Sequence, residues 1–392
     1  MTAQPLDFGY GPEEALLREQ ARKLLDEFAP PAALRKLVGK DPAAVYARGE
    51  LPAFDRDLWQ RCVELGWTAL LVPETCGGAG AKMVGVVSLI EEAGKHALPS
   101  PLLTTLISSA VLQSADTPSA ESWLRKIASG STMSLALTGS RGSWELDGTE
   151  VIAERAKDGF RLNGSVHFVQ DAFKADAFLV AARSAEGICL VVVEKETPGL
   201  TLGRDHIVDL TRDQGHLSLN HVRVSETDVI ASGARGHSAL RGAWPSALVL
   251  VSADLVGASE WLLQTTVEYA KVRKQFDHTL GFFQAVKHPL VNAMAEIDLA
   301  RSLLYNAACA IDVDPASAEV PARMAKSAAS DASAFASGRA VQLHGGIGFT
   351  WECDVHFFFK RNQHHQALYG DGVHQRKKLA NLLIDGAPTH RG

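Results

Sequence analysis

The chain has 392 residues, of which 46% are hydrophobic and 21% charged, and its formal net charge is −6. Such a composition specifies packed domains rather than a disordered ensemble, and an acidic chain without a long basic run lacks the footprint of a nucleic-acid binder. No run approaches the roughly 18 apolar residues that span a bilayer, and MTAQPLDFGYGPEEALLREQ has no secretory pattern. Cys62, Cys76, Cys189, Cys309 and Cys353 form no CxxC pair, so a cytoplasmic chain with free thiols is expected, without zinc or a disulfide framework.

To about Ile127 the chain reads as helical. Leu16, Leu17, Leu24 and Leu25 fall on one stripe of a helix from Pro12 to Leu25, with acids in its first turn. Pro30 and Pro31 end it. Further helical patterns cover Asp55 to Leu65 and Val84 to Lys95, and the glycine-rich Pro73 to Gly80 between them is a loop.

From about Ser131 to Ile230 the period shortens. Phe160 to Leu162 and Val166 to Val169 flank Asn163-Gly164, a strong hairpin signal. Ala177 to Ala182 and Ile188 to Val193 are split by Glu186-Gly187, and Leu217 to Val224 alternates like a half-buried strand. From about Ser238 long helical patterns return: Ala243 to Arg273, Phe282 to Ile311, Pro321 to His344 and Val373 to Ile384. The expectation is an α+β chain in three domains: N-terminal helices over residues 1–130, an antiparallel β-barrel-like domain over 131–237, and an antiparallel helix bundle over 238–392.

Two motifs in the last region carry chemistry. Arg273 and Lys274 close a helix, and Gln275 and Phe276 follow. Cations at a helix C-terminus and an aromatic cap explain such a run structurally. Chemically, an arginine fixed at a helix end with an aromatic beside it grips a diphosphate and packs on a heterocycle. Gln342-Leu-His-Gly-Gly-Ile-Gly348 closes another helix. A cap needs only one glycine, Gly345; the others let a backbone or a phosphate come close. No Lys-Ser/Thr follows and the helix ends there, so this is not a P-loop.

YAKVRKQF (Tyr269 to Phe276), FFQAVKH (Phe282 to His288) and QLHGGIGF (Gln342 to Phe349), in a chain of helices, strands and helices, resemble the acyl-CoA dehydrogenase superfamily. LGWTALLVPETCGGAGA (Leu65 to Ala81) resembles its N-terminal loop and LNGSVHFVQDAFKADAFLVAAR (Leu162 to Arg183) its central barrel, so the likeness spans essentially the whole chain. The resemblance implies FAD bound between subunits, mostly of homotetramers, and desaturation of an acyl-CoA between Cα and Cβ. A glutamate takes the α-proton, flavin N5 takes a hydride, and electrons leave through an electron-transfer flavoprotein. It also implies that Arg273, Gln275, Phe276, Gln342, Gly345 and Gly346 hold the ADP half of a neighbouring subunit's FAD.

The departures from the family fall on one side of the site. The family's TEPxAGSD segment is here Thr138-Gly-Ser-Arg-Gly-Ser-Trp144, which keeps only the threonine of the Thr-Glu-Pro start. Phe168 and Gln170 stand where a tryptophan and a threonine or serine usually face the flavin, and Val166 replaces a lysine. The base positions fall on Gly370 and Ala247, and Ala247 has no acid within three residues. Asp371 is the nearest carboxylate to the first of them, and an aspartate in a Gly-Asp-Gly turn is commonly structural. His356, His364, His365 and His374 lack an acid or cysteine to complete a ligand set, so no metal site is expected.

Elements serving a neighbour's FAD are thus intact, whereas those serving the chain's own flavin and base are eroded. A homo-oligomer needs both in every chain. The expectation is a β-type subunit paired as α2β2 with a homologous, base-bearing subunit, acting on a bulky or unusual acyl-CoA such as a steroid-derived one. The alternatives are a self-sufficient, self-associating homotetramer with a relocated base, a flavin oxidase or monooxygenase of the same fold, and a non-catalytic assembly subunit.

Overall fold

A computed structural model describes residues 11–38 and 54–385. Helix α1 (Pro12–Phe28) carries Pro12 at its first position and Glu13 and Glu14 in its first turn, where a fixed φ and negative charge both suit a helix start. Ala21 and Leu25 are buried on it, but Leu16 is exposed: periodicity marks a stripe, and the neighbouring element decides how much of it is covered. After α2 (Pro31–Val38), α3 (Arg56–Glu64) is capped by the Asp55 carboxylate, which accepts from Leu58 N at 2.9 Å. The loop after α3 holds a single turn of tight helix, Glu74–Cys76, ended by Gly77. Helices α4 (Met83–Lys95), α5 (Leu102–Ala115) and α6 (Pro118–Ala128) follow.

Eight strands form one sheet: β1 (Met133–Ala136), β2 (Ile152–Ala156), β3 (Gly159–Gln170), β4 (Ala177–Ser184), β5 (Gly187–Glu194), β6 (Leu200–Arg204), β7 (Gln214–Ser225) and β8 (Val229–Ala231). The order β6-β7-β3-β2-β4-β5-β8 is open at both ends, so the strands do not close a barrel. Pairing is mostly antiparallel, but β1 and β2 each meet β4 in parallel. The chain makes an excursion through a hairpin before β4 and returns in the original direction.

The expected hairpin at Asn163-Gly164 is not a turn. Strand β3 runs through it, and the pairing with β7 shifts register between Leu162 and Gly164. Asn163 Oδ1 accepts from His221 N at 2.9 Å. Gly164 has φ +129, and a Cβ there would lie 2.7 Å from Glu150 O. A bulge uses the same permissive backbone as a tight turn, so local sequence does not distinguish them. The real two-residue turn is Lys157-Asp158, between the paired Ala156 and Gly159. On the inner face Val166, Phe178, Val180, Leu217 and Val222 form the core of the sheet.

Helix α7 (Ala234–Val272) is 39 residues long and starts nine residues before the expected Ala243. It runs through Pro245, whose lost hydrogen bond is outweighed by the burial of its surroundings. It is long and apolar enough to cross a membrane by composition, yet 83% of its most apolar stretch is buried within the protein, as in a core helix. A short hairpin, β9 (Lys274–Gln275) and β10 (His278–Thr279), leads to α8 (Gln284–Val313), α9 (Glu319–His344), α10 (Val355–Ala367) and α11 (Gly372–Ala380). Helix α10 lacks a clean apolar stripe, and no periodic pattern marks it in the sequence. Buried Arg361 on it grips buried Asp254 of α7 through both carboxylate oxygens, at 2.9 and 2.5 Å, and Trp261 stacks on Phe358 at 3.7 Å.

Among the described residues the contacts divide into two compact units. One is drawn from the described residues within Met1–Lys36, Met83–Leu98 and Leu248–Gly392, and the other from those within Leu37–Lys82 and Pro99–Ala247.

Candidate functional site

In the helical unit, Arg273 directly follows α7, and its amide still donates to Tyr269 O at 2.9 Å. Its carbonyl accepts from Leu280 N at 2.8 Å, closing the β9–β10 hairpin. Phe276 and Asp277 form the tip, both in the left-handed region at φ +52 and +63. That backbone suits a tight hairpin but is strained for phenylalanine. Phe276 is 85% exposed, so it is a projecting ring and not a cap over the core. Its edge meets Phe283, with ring centroids 6.2 Å apart.

Gly345 at φ +64 caps α9, its amide donating to the carbonyls of Val341 and Gln342. Gly345 and Gly346 are exposed, and no atom lies within 4 Å of where a Cβ would stand on either. The ends of α7 and α9 are brought together by a stack of Tyr269 on His344, with ring centroids 4.3 Å apart. Nδ1 of the buried His344 donates to Ala340 O at 2.8 Å, and burial pushes its pKa down, so the ring is a neutral packing surface. Arg273, Gln275, Phe276, Gln342, Gly345 and Gly346 therefore lie on hairpin and helix ends that converge. The side chains of Arg273, Gln275 and Gln342 are exposed and make no hydrogen bond to any described residue.

Positions 369–372 form a strap between α10 and α11. Tyr369 and Gly370 are both left-handed, at φ +58 and +93. Buried Gln375 donates to Tyr369 O at 2.7 Å, and buried Lys326 donates to Gly370 O and Gln366 O, both at 2.9 Å. Burial pushes the Lys326 ammonium down to about 7, although the charges of Asp371 and Asp331 act the other way. Asp371 is exposed and caps α11, its Oδ1 accepting from His374 N at 2.8 Å. Ala247, the other base position, is buried on α7. On that helix Asp254 is engaged by Arg361 and His365, Glu260 by Arg301 and Lys95, and Glu268 by Lys271.

In the sheet unit, Thr138, Phe168 and Gln170 do come together. His167 N donates to the carbonyl of buried Thr138 at 2.8 Å. Phe168, at φ +58, sits in a second irregularity of β3. Buried Gln170 donates to Phe168 O at 3.1 Å and to Gln214 Oε1 at 2.8 Å, so its amide holds the bulge. Gln214 then donates to Asp205 at 2.9 Å, and Asp205 accepts from His216 Nδ1 at 2.9 Å. His216 stacks on His167, with centroids 5.7 Å apart. The sequence reading missed Gln214, Asp205 and His216. Alternation along β7 was the available signal, since it places Gln214 and His216 opposite Leu217 and Leu219.

A further missed cluster lies in the helical unit. Glu91 and Glu92 of α4 are buried beside Arg18 and Arg301, and Tyr305 donates to Glu91 at 3.1 Å. Burial pushes the Glu91 carboxyl up to about 7.

Residues 11–131 match the family model "Acyl-CoA dehydrogenase, N-terminal domain" and residues 246–383 match "Acyl-CoA dehydrogenase, C-terminal domain". Over 350 residues the chain is 32% identical to the acyl-CoA dehydrogenase IpdE2 of Mycobacterium tuberculosis (strain ATCC 25618 / H37Rv), covering 89% of this chain and 90% of the relative. The chain belongs to the acyl-CoA dehydrogenase family. Its fold superposes on the crystal structure of the ChsE4-ChsE5 complex from Mycobacterium tuberculosis with a TM-score of 0.86 at 26% identity, covering 97% of this chain and 99% of that one. It also matches a variant of the Tcur3481-Tcur3483 steroid ACAD, with a TM-score of 0.84 at 27% identity, covering 96% and 98%. This acyl-CoA dehydrogenase is thus an oxidoreductase of a flavoprotein family. The open glycines and the exposed Arg273 and Gln342 fit a diphosphate-bearing flavin nucleotide.

Proposed function

We propose that this acyl-CoA dehydrogenase is the partner subunit of a heteromeric, FAD-dependent enzyme that desaturates a bulky acyl-CoA of steroid type. The observation that carries the reading is an asymmetry: the motif residues at the ends of α7 and α9 face outward, and both base positions lack an acid. Arg273, Gln342 and the two glycines are exposed and uncommitted, ready for a group outside the chain. Both base positions, Gly370 and Ala247, lack a carboxylate, and Asp371 is spent on a helix cap.

The chemistry that FAD supplies when bound is acceptance of a hydride equivalent from the acyl Cβ. This chain's share is positional. Arg273 grips a phosphate, Phe276 packs beside the nucleotide, and Gln342 with Gly345 and Gly346 lets the nucleotide approach the end of α9. Thr138 and Phe168 form a wall stiffened by the Gln170 amide. Removal of the Cα proton requires a carboxylate within hydrogen-bond reach, which the homologous subunit contributes.

Large exposed apolar side chains in the helical unit, among them Phe276, Phe282, Val291, Leu299 and Phe349, also support association. Two structural relatives support this reading, one a ChsE4-ChsE5 complex and one a steroid ACAD. An electron-transfer flavoprotein is the proposed acceptor. The five free cysteines suit a reducing cytoplasm.

Co-expression with a homologous, glutamate-bearing subunit tests this. The pair is expected to purify as a yellow α2β2 complex whose flavin is bleached by a steroid side-chain acyl-CoA. A yellow, active homotetramer of this chain alone would overturn it.

A further inference from the structure

The strap between α10 and α11 is more than a site from which an acid is absent. Gly370 is at φ +93, where an L side chain is strained whatever the space around it. A Cβ built there would lie 2.3 Å from the His374 ring and 3.0 Å from Gln375 Nε2. A side chain at 370 would therefore point into the first turn of α11. The conformation is also held from beneath. Lys326 spends its three donors on Ser330 Oγ, Gln366 O and Gly370 O, at 2.7, 2.9 and 2.9 Å. Gln375 donates to Tyr369 O at 2.7 Å and to Gly370 O at 3.3 Å, while Arg323 donates to Gln375 Oε1 at 2.9 Å. Lys326 and Gln375 are fully buried, and Tyr369 itself is left-handed at φ +58.

We infer that the Tyr369–Gly372 strap is sealed against an acid: Lys326 and Gln375 pin its carbonyls so that position 370 faces α11, and no single substitution there restores a proton acceptor. This deepens the heteromeric reading and rests on it: with no acid at Ala247 and Asp371 engaged as a helix cap, a sealed position 370 leaves the base to another chain. Lys326 is not itself that base. Its amine is fully buried, and all its donors are engaged behind the Gly370 peptide.

The test uses the full chain carrying Gly370→Ala, Gly370→Glu, or Gly370→Glu with His374→Ala. Each is melted alone and, reconstituted with FAD, mixed anaerobically with butyryl-CoA and a cholanoyl-CoA thioester. Both single variants are expected to melt about 3–10 °C below the parent. Removing the His374 ring should recover part of that loss, and no variant should bleach flavin without the partner. Gly370→Ala reads the strap even if the glutamate fails to fold. Melting of Gly370→Ala within about 1 °C of the parent would overturn the sealed strap, as would bleaching by Gly370→Glu alone. Bleaching by the parent alone would instead sink the heteromeric reading, while the melting series would still decide the strap.

Discussion

Asp371 illustrates how a residue's neighbours settle its role. Its Oδ1 accepts from His374 N at 2.8 Å at the start of α11, and asparagine caps a helix about as well as aspartate. Asp371→Asn is therefore expected to leave both the melting temperature and the turnover of the complex unchanged, whereas Asp371→Ala should cost about 1 kcal/mol. A large loss of turnover in the asparagine variant would identify Asp371 as the base after all. Glu91 behaves differently. Its folded-state pKa of about 7 stands above the ordinary 4.5, so between these values the native state holds a proton that the unfolded chain has released. That group's contribution to stability is present below pH 4.5 and is lost as the pH rises to about 7. Glu91→Gln should therefore shift in stability relative to the parent by up to ~3 kcal/mol in its own favour between about pH 5 and pH 8, as read by urea denaturation at both. Cys62 and Cys189 are buried, with thiols pushed up to about 12, so neither should react with iodoacetamide in the folded chain at about pH 8.

At the scale of elements, α10 depends on one buried ion pair. Arg361→Ala would leave the Asp254 carboxylate buried beside His365 without its bidentate partner. The expected loss is about 3–5 kcal/mol by chemical denaturation, because an unpaired buried charge costs more than the pair gains. None of this was legible in the sequence, where Asp254 and Arg361 lie 107 positions apart and α10 shows no apolar stripe. The Asn163-Gly164 bulge was illegible for another reason: the signal was real, but the same backbone freedom serves turns and bulges. By contrast, the hairpin around Glu186-Gly187 and the helices ending near Arg273 and His344 were readable. Their signals lie within a few residues of one another.

For the whole molecule, the exposed motifs at the ends of α7 and α9 predict where association and cofactor retention fail together. On the proposed reading Arg273→Ala would remove a charge-assisted contact to the nucleotide worth about 1.5–3 kcal/mol, so FAD release from the co-expressed complex should rise about tenfold or more. The fold of this chain, read by circular dichroism, should not change, because the Arg273 side chain bonds no described residue. Sequence by itself determined the family and the succession of helices, strands and helices, since these are written in local motifs and short periods. Tertiary structure alone decided that Arg273 and Gln342 face outward, that Gln170 braces a bulge, and that position 370 points into α11. Exposure and side-chain direction are set by contacts between residues far apart in the chain.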